Sequence, residues 1–345
     1  MTERRGWLLR LLDRDGLEGH AVAMPVDGFA GEAFDACGAA LAAALDASMR
    51  PGAVAAAPGP RASGSRRAPF AASAWSLAHA DLDARQAGRP LADCIAEGSV
   101  AHRDHVAVNA LLWADEPDAL RAQVRDARAF PVLKLKVGAD VDAALERIDF
   151  VCGELAAGQQ LRIDPNASWS EEGAARALAA LDGRPIEYVE QPVAGAEALA
   201  RLRRGSKVAV AADESVSDVE GLTSIVADGG ADVVVMKPMC LGGPRLAERL
   251  GAQAQGAGVG VTVTSLLDSA IGVRAALAVA LALPESPLAC GLATSSIFEV
   301  DLAAPPPAPQ EGRLGAWAEP GLGTTIDAAA LRDCVLGPER TWGQT

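Results

Sequence analysis

Histidine and cysteine are both scarce in this chain of 345 residues. The four histidines all lie in the first third, so an active site farther along the chain could not use histidine for acid–base chemistry, which disfavours a Ser-His-Asp triad. The six cysteines are widely spaced and include no C-x-x-C pair. That spacing excludes the common zinc motifs and gives no reason to expect a disulfide framework.

Long apolar runs and excess positive charge are also absent. No apolar run approaches the roughly 20 residues that a membrane-spanning helix requires, and residues 1–12 are too short and too charged for a secretory signal. The formal net charge of −14 argues against nucleic-acid binding, which favours basic surfaces. We therefore expect a cytoplasmic protein, monomer or homo-oligomer, that binds neither nucleic acid nor membrane.

Lysine is the rarer basic residue by a wide margin. Among 31 lysines and arginines, only Lys134, Lys136, Lys207 and Lys237 are lysines. The ordinary interpretation of this ratio is a GC-rich genome, which encodes arginine wherever positive charge alone suffices. Lysine differs from arginine where a proton must be transferred, because its pKa is readily lowered. The positions of these four lysines are therefore informative about chemistry.

Short apolar runs alternate with helix-forming stretches from about residue 105 onward. Eight such runs, separated by helix-like segments, are typical of a (β/α)8 barrel. Near-continuous apolar strands suit a parallel sheet that is covered on both faces. An open doubly wound sheet is the alternative, but no G-x-G-x-x-G turn follows an early strand. The predicted strands are 106–112, 132–137, 161–164, 186–190, 208–213, 232–237, 259–264 and 288–292.

The two ends of the chain have a different pattern. Residues 7–12 and 19–23 predict an antiparallel hairpin, and helical patterns follow at 31–47 and 68–88 with a mobile loop over 51–67. The proline-rich run 305–309 ends the barrel. The fold is therefore predicted as an α+β capping domain over 1–104, a (β/α) barrel over 105–304 and a C-terminal tail over 305–345 that packs on the capping domain.

Three acidic residues end adjacent predicted strands. Asp164, Glu190 and Asp213 would meet at the carboxyl face of the barrel, where barrel active sites lie. Like charges held close together repel strongly unless a cation lies between them. Carboxylate oxygens that leave positions open for substrate suit Mg²⁺, with Mn²⁺ as a substitute. Any one of them could be an ordinary loop residue, but three in register favour a metal site.

Three of the four lysines lie at strand ends around these acids. Lys134 and Lys136 are two apart, so both side chains point into the barrel. Burial and a second ammonium are expected to lower a lysine pKa towards that of a general base. With Lys237 on the opposite wall, the set predicts removal of the proton next to a metal-bound carboxylate. Lys207 fits an ordinary surface residue.

At these residues the sequence resembles the enolase superfamily, in particular its muconate-lactonising branch. The resemblance implies Asp164, Glu190 and Asp213 as Mg²⁺ ligands, Lys136 and Lys237 as the catalytic pair, and Lys134 as an electrostatic partner. The matching motifs are Lys134-Leu-Lys136, Asp164-Pro-Asn166-x-x-Trp169, Glu190-Gln191-Pro192, Asp213-Glu214-Ser215, Lys237-Pro-x-x-x-Gly242-Gly243 and Pro320-Gly321-Leu322-Gly323.

Within that branch, segments 68–91, 106–112, 162–164 and 264–272 are most similar to the o-succinylbenzoate synthase family. The resemblance implies a syn dehydration of 2-succinyl-6-hydroxy-2,4-cyclohexadiene-1-carboxylate in menaquinone biosynthesis. The second lysine of the pair takes the α-proton and returns it to the departing hydroxyl, while the opposite lysine stabilises the enediolate. Contacts to the substrate or to the metal ligands are implied for Arg162, Asn166, Glu214, Ser265 and Asp268.

Several alternatives stay open at this point. Two opposed lysines also suit an N-succinylamino-acid racemase or dipeptide epimerase, although dipeptide epimerases carry Asp-x-Asp where this chain has Gly291-Leu292-Ala293-Thr294. The synthases often have Asp at the position of Ala293. A Schiff-base aldolase would leave the three acids without a role, and intact lysines and acids disfavour a non-catalytic barrel. The resemblance also implies that the chain lacks the family's first N-terminal strand and the specificity loop after it.

Overall fold

The computed structural model describes residues 3–26, 29–48, 68–96 and 103–342. Its N-terminal part is an antiparallel hairpin of β1 (Trp7–Leu12) and β2 (Glu18–Ala23), as predicted. The Asp13 carboxylate closes the turn between them by accepting hydrogen bonds from the backbone N–H groups of Asp15 and Leu17. The predicted loop over 51–67 lies outside the described residues.

Three helices accompany this hairpin: α1 (Phe34–Ser48), α2 (Pro69–Gln86) and α3 (Leu91–Ile95). Pro69 begins α2 at a position where a helix loses no hydrogen bond by having proline. The buried strand β2 packs against α2 at Gly19, where a Cβ atom would lie only 2.3 Å from the carbonyl oxygen of Ala78. Glycine is therefore required for this close approach.

A curled parallel sheet with helices outside it forms the rest of the fold. After β3 (His105–Ala107), seven strands pair in chain order, each with its neighbours in the sequence. They are largely apolar and buried, as expected of strands covered on both faces. The elements are β4 (Asn109–Leu112), α4 (Pro117–Asp126), β5 (Val132–Lys136), α5 (Val141–Glu154), β6 (Gln160–Asp164), α6 (Glu171–Ala180), β7 (Ile186–Glu190), α7 (Ala196–Gly205), β8 (Val210–Ala212), α8 (Val219–Asp228), β9 (Val233–Met236), α9 (Pro244–Gly256), β10 (Gly260–Val263) and α10 (Ala270–Ala282).

The eighth position of the barrel is filled by residues 288–291, which form isolated bridges and no continuous ladder. Cys290 forms an isolated β-bridge with Val108, which lies between β3 and β4. Gly291 forms another with Thr264, which follows β10. The N–H of Cys290 donates to the carbonyl of Ala107 at 2.7 Å, and the N–H of Gly291 donates to that of Val263 at 2.9 Å. The barrel is therefore closed, which confirms the predicted fold class with the eighth strand reduced to bridges.

The C-terminal tail completes the capping domain. It contains β11 (Ala303–Ala304), β12 (Arg313–Gly315), β13 (Thr325–Ile326) and α11 (Ala328–Cys334). The fully buried carboxylate of Asp81 on α2 joins three segments, because it accepts from the N–H of His20 (2.8 Å), the N–H of Leu322 (2.7 Å) and Nε of Arg85 (3.0 Å). We retain boundaries at 104 and 304 as a proposal.

One predicted strand divides between the two parts. Residues 106–112 were predicted as one barrel strand, but β3 pairs antiparallel with β12 of the tail, and it is β4 that pairs with β5 in the parallel sheet. The change of partner occurs at Val108, whose N–H donates to the carbonyl of Gly312 at 2.9 Å. None of the helices in the described ranges combines the length and apolar character needed to cross a bilayer.

Candidate active site

The three acidic residues lie buried at the carboxyl edge of the parallel sheet. Asp164 and Glu190 are the last residues of β6 and β7, and Asp213 directly follows β8. Their exposed fractions are 0%, 1% and 6%. Ionised groups are this deeply buried only where other charges or hydrogen bonds compensate them.

Lysine ammonium groups provide that compensation. Nζ of Lys134 lies 2.6 and 2.7 Å from the two carboxylate oxygens of Glu190 and 2.9 Å from Oδ2 of Asp164. Nζ of Lys136 lies 2.5 Å from the same Asp164 oxygen, and Lys237, which follows β9, pairs with Asp213. The structure thus brings together the three acids and the three lysines. Lys207 is an exposed surface residue paired with Asp182, as predicted.

The carboxylates set the charge state of Lys134. Burial alone would lower its pKa, but the negative charges of Asp164 and Glu190 outweigh burial and hold the pKa well above its usual value. The expectation of a lowered pKa is therefore wrong for Lys134, because its nearest charges are carboxylates and not another ammonium. Lys134 stays a fixed positive charge.

The same interactions affect the acids in opposite directions. Burial opposes ionisation of Asp164, but the ammonium groups of Lys134 and Lys136 hold its pKa well below its usual range. For Glu190, burial and the negative charge of Asp164 raise the pKa to about 8. The cluster therefore carries enough negative charge that Glu190 resists ionisation.

Polar side chains link Lys136 to a fourth acid. Oδ1 of Asn166 accepts from Lys136 at 2.9 Å, and its Nδ2 donates to Glu214 at 3.2 Å. Asn166 has a left-handed backbone with φ of 48°, and its own N–H donates to Asp164. The remaining oxygen of Glu214, Oε2, is buried without a hydrogen-bond partner. Asn166 and Glu214 therefore lie beside Lys136 and Asp164, and a role for them in orienting the site stays a prediction.

A buried glutamine, to which the sequence assigned no role, holds two of the strand ends together. Oε1 of Gln191 accepts from the N–H groups of Asp213 and Ser215, both at 3.0 Å. Its Nε2 donates to the carbonyl of Val193 and the hydroxyl of Ser215, both at 2.9 Å. The available signal was its place in the Glu190-Gln191-Pro192 motif, but a motif does not show which backbone groups a side chain satisfies.

Arg162 donates its hydrogen bonds to groups other than the three acids of the site. It is fully buried inside the barrel, where Nη1 donates to Asn109 (3.2 Å) and to the carbonyl of Ala289 (2.6 Å), and its guanidinium contacts Glu187 and the ring of Tyr188. Arg162 therefore braces β6 against the closing strand. A contact between Arg162 and substrate stays a prediction.

Ser265 and Asp268 follow β10. The hydroxyl of Ser265 lies 2.9 Å from that of Thr294. Asp268 is buried against the capping domain and accepts from the N–H of Leu266 at 3.1 Å. Its burial raises the pKa of its carboxyl to about 6, and Oδ1 has no hydrogen-bond partner. Substrate contacts for both residues also stay predictions.

The donor set suits a hard divalent cation, although the acids do not meet at one point. In the described ranges, no three His, Cys, Asp or Glu side chains are already grouped as metal ligands. Oxygens of Asp164 and Glu190 nevertheless both lie within 3 Å of one atom, Nζ of Lys134. A single position can therefore contact both acids, and buried carboxylates with hard oxygens are the ligands that Mg²⁺ favours.

Comparisons with known proteins agree with this geometry. The family described as Enolase C-terminal domain-like matches residues 118–330, which include all six charged residues of the site. The chain belongs to the enolase superfamily. It is therefore an enzyme of the lyase or isomerase type, since its superfamily relatives carry out these reactions.

Two superfamily members illustrate the similarity in sequence. A protein from Thermobifida fusca named o-succinylbenzoate synthase is 36% identical over 250 residues, covering 70% of this chain and 78% of that protein. One of the same name from Mycobacterium tuberculosis is 38% identical over 244 residues, covering 69% and 71%.

Solved structures of superfamily enzymes show the same fold. The muconate lactonizing enzyme from Pseudomonas fluorescens complexed with muconolactone has a TM-score of 0.84 and 26% identity, covering 96% of this chain and 92% of that one. The L-Ala-D/L-Glu epimerase from Bacillus subtilis has a TM-score of 0.81 at 23% identity, covering 93% and 91%, and shows the fold alone.

Proposed function

We propose that this enzyme is a Mg²⁺-dependent o-succinylbenzoate synthase, a hydro-lyase that dehydrates 2-succinyl-6-hydroxy-2,4-cyclohexadiene-1-carboxylate in cytoplasmic menaquinone biosynthesis. The observation that carries the proposal is that relatives 36–38% identical over about 70% of the chain bear this name. The placement of Lys136 and Lys237 at the ends of β5 and β9 supports it, because the dehydration requires a base and a nearby positive charge.

Asp164, Glu190 and Asp213 would hold the metal ion. When bound, Mg²⁺ supplies Lewis-acid charge that stabilises the negative oxygens of a carboxylate losing its α-proton. Gln191 keeps Asp213 in place through its backbone N–H, and Asn166 keeps Glu214 beside the acids. The substrate carboxylate would bind on the side of the three acids that faces the barrel mouth.

One nitrogen atom would both remove the α-proton and return it to the departing hydroxyl. Nζ of Lys136, at the end of β5, takes the α-proton and then delivers it to the departing hydroxyl. Both events occur on one face of the substrate, as a syn elimination requires, because one side chain serves both steps. Lys237 approaches from the opposite wall and contributes positive charge beside the developing enediolate. Lys134 remains protonated and balances Glu190 and Asp164.

Substitution of Lys136 tests this assignment. We expect Lys136→Ala and Lys136→Arg both to lower kcat by at least ~10²-fold, because guanidinium cannot act as a base near neutral pH. Dehydration is followed by the absorbance of the cyclohexadiene, with Lys207→Arg as the control that keeps full activity. A Lys136→Ala enzyme with more than about a tenth of the wild-type rate would move the base to another residue.

A racemase or epimerase that uses two lysines is the second candidate, because Lys136 and Lys237 lie on opposite walls of the site. In that reaction Lys237 must itself exchange a proton, so Lys237→Arg would abolish turnover from one enantiomer. In the dehydration it supplies charge only, so Lys237→Arg retains some activity. Rapid α-proton exchange in D₂O from both enantiomers of an N-succinylamino acid, without dehydration, would overturn the synthase proposal.

A further inference from the structure

An aromatic ring of the capping domain lies against Lys237. Nζ of Lys237 is 4.5 Å from the centre of the Phe29 ring, which is the geometry of a cation–π contact. Lys237 is only 9% exposed, and its ammonium also pairs with Asp213. The ammonium is therefore held between a carboxylate of the barrel and a ring from the other domain.

The backbone around Phe29 is shaped to present the ring. The N–H of Phe29 donates to the carbonyl of Val26, and Ala30 and Gly31 both adopt left-handed conformations, with φ of 54° and 69°. Such a conformation is costly for alanine and persists only where the surroundings fix it. The buried Glu32 fixes this turn, because its carboxylate accepts from the N–H of Phe70 at the start of α2, at 2.6 Å.

We propose that Phe29 is a positioning residue for Lys237: its ring covers the ammonium, excludes water from one side of it and keeps it directed into the site. This inference rests on the proposed function for its effect on turnover, but the cover itself is a property of the free enzyme. It also explains how the capping domain influences the chemistry of residues that all belong to the barrel.

Amine labelling tests the cover without any substrate. Lysines are acetylated with a limiting amine-reactive reagent, and the rate at each lysine is measured by mass spectrometry in wild type, Phe29→Leu and Phe29→Ala. Lys207 is the internal control, since its side chain is 81% exposed and pairs only with Asp182 among the described residues. We expect Lys237 to react about tenfold faster in Phe29→Ala, in the range of a desolvated cation–π contact. An unchanged ratio of Lys237 to Lys207 labelling would overturn the proposal.

Fluorination of the ring tests the electrostatic part. Stepwise replacement of Phe29 by mono-, di- and trifluorophenylalanine weakens the negative face of the ring while keeping its shape, so we expect kcat for dehydration to fall with each fluorine while KM changes little. The same series at Phe34 is the matched control, because that ring contacts the surface cation Arg5 at 5.1 Å. A kcat that is independent of fluorination at Phe29 would reject the positioning role.

The two proposals fail in different ways. A wild-type enzyme that does not convert the cyclohexadiene substrate rejects the proposed function, and the labelling ratio then decides on Phe29 alone. An active wild type with unchanged labelling in Phe29→Ala rejects the Phe29 inference and leaves the synthase proposal standing. Thermal unfolding of each variant confirms that the fold is intact before either result is interpreted.

Discussion

The acids at the strand ends are all paired with lysines, and the pairing decides what a substitution of an acid does. Asp213 pairs with Lys237 and receives its backbone support from Gln191. An amide at this position keeps the shape and can still accept a hydrogen bond from Lys237, but it loses the negative charge. The fold is therefore expected to tolerate the change better than the chemistry does.

We predict that Asp213→Asn lowers Mg²⁺ affinity by at least ~10-fold, since a charged oxygen ligand becomes neutral. Isothermal titration with Mg²⁺ measures the affinity, and circular dichroism measures the fold. Asp182→Asn, a change of the same kind at the surface pair with Lys207, is the control and should leave Mg²⁺ binding unchanged. Equal affinity in wild type and Asp213→Asn would remove Asp213 from the ligand set.

Asp268 gives a prediction about pH. Because burial raises its pKa to about 6 in the folded state, against an ordinary value of 3.8, the folded protein binds this proton more tightly than the unfolded chain does. The associated stability is present below about pH 4 and is lost as pH rises through about 6. Asp268→Asn removes this loss, so we expect the variant to exceed wild type by about 2–3 kcal/mol near pH 8 and by much less at pH 4. Urea unfolding at both pH values measures the free energies of unfolding of the two proteins. A difference between them that is the same at pH 4 and pH 8 would contradict the raised pKa of Asp268.

The closing strand of the barrel, residues 288–291, packs closely against its neighbour at Gly291. A Cβ atom on Gly291 would lie 2.3 Å from Oγ1 of Thr264 across the joint between the last two strands. We expect Gly291→Ala to destabilise the fold by about 1–3 kcal/mol, as overpacking does in other cores. Gly153→Ala in α5, where nothing lies within 4 Å, is the control and should be neutral or stabilising by up to ~1 kcal/mol. Denaturant unfolding compares them, and equal midpoints would show that the joint is loose.

Strand positions were largely predictable from the sequence, while strand partners were not. The apolar runs gave the barrel strands to within a few residues because burial on both faces requires continuous apolar side chains. The run 106–112 has the same pattern throughout, yet its first half pairs with β12 and its second half with the barrel. The pairing of β3 depends on a segment about 200 residues farther along the chain, roughly the size of the barrel itself, and no local pattern records it.

Candidate site residues were predictable for the same reason, since charged residues at the ends of apolar strands must lie at one edge. The groups that these side chains contact could not be predicted. The raised pKa of Lys134 follows from distances to Glu190 and Asp164, and the bonds of Gln191 follow from the positions of two neighbouring strand ends. Phe29 lies in another domain, and only its distance from Lys237 relates it to the site.

At the scale of the whole molecule, Asp81 holds the tail to the capping domain. Removing its carboxylate leaves the N–H groups of His20 and Leu322 without partners in a buried environment and Arg85 without its counter-charge. We predict that Asp81→Ala lowers the free energy of unfolding by about 3–5 kcal/mol. Asp83→Ala on the same helix, at a partly exposed ion pair with Arg245, should cost less than about 1 kcal/mol. Urea unfolding of both variants tests this prediction. Similar losses of unfolding free energy in the two variants would show that Asp81 does not hold the tail to the capping domain.

The tail that Asp81 holds also fixes the order in which the molecule can assemble on the ribosome. Domains fold as their residues emerge, from the N-terminal end onward. Leu322, whose N–H donates to Asp81, is synthesised after every strand of the barrel. The hairpin and α2 therefore lack this last contact while more than two hundred further residues are synthesised. During that interval the barrel can close around its acids and lysines. The barrel can therefore form first, and the capping domain is the last part of the new chain to become complete.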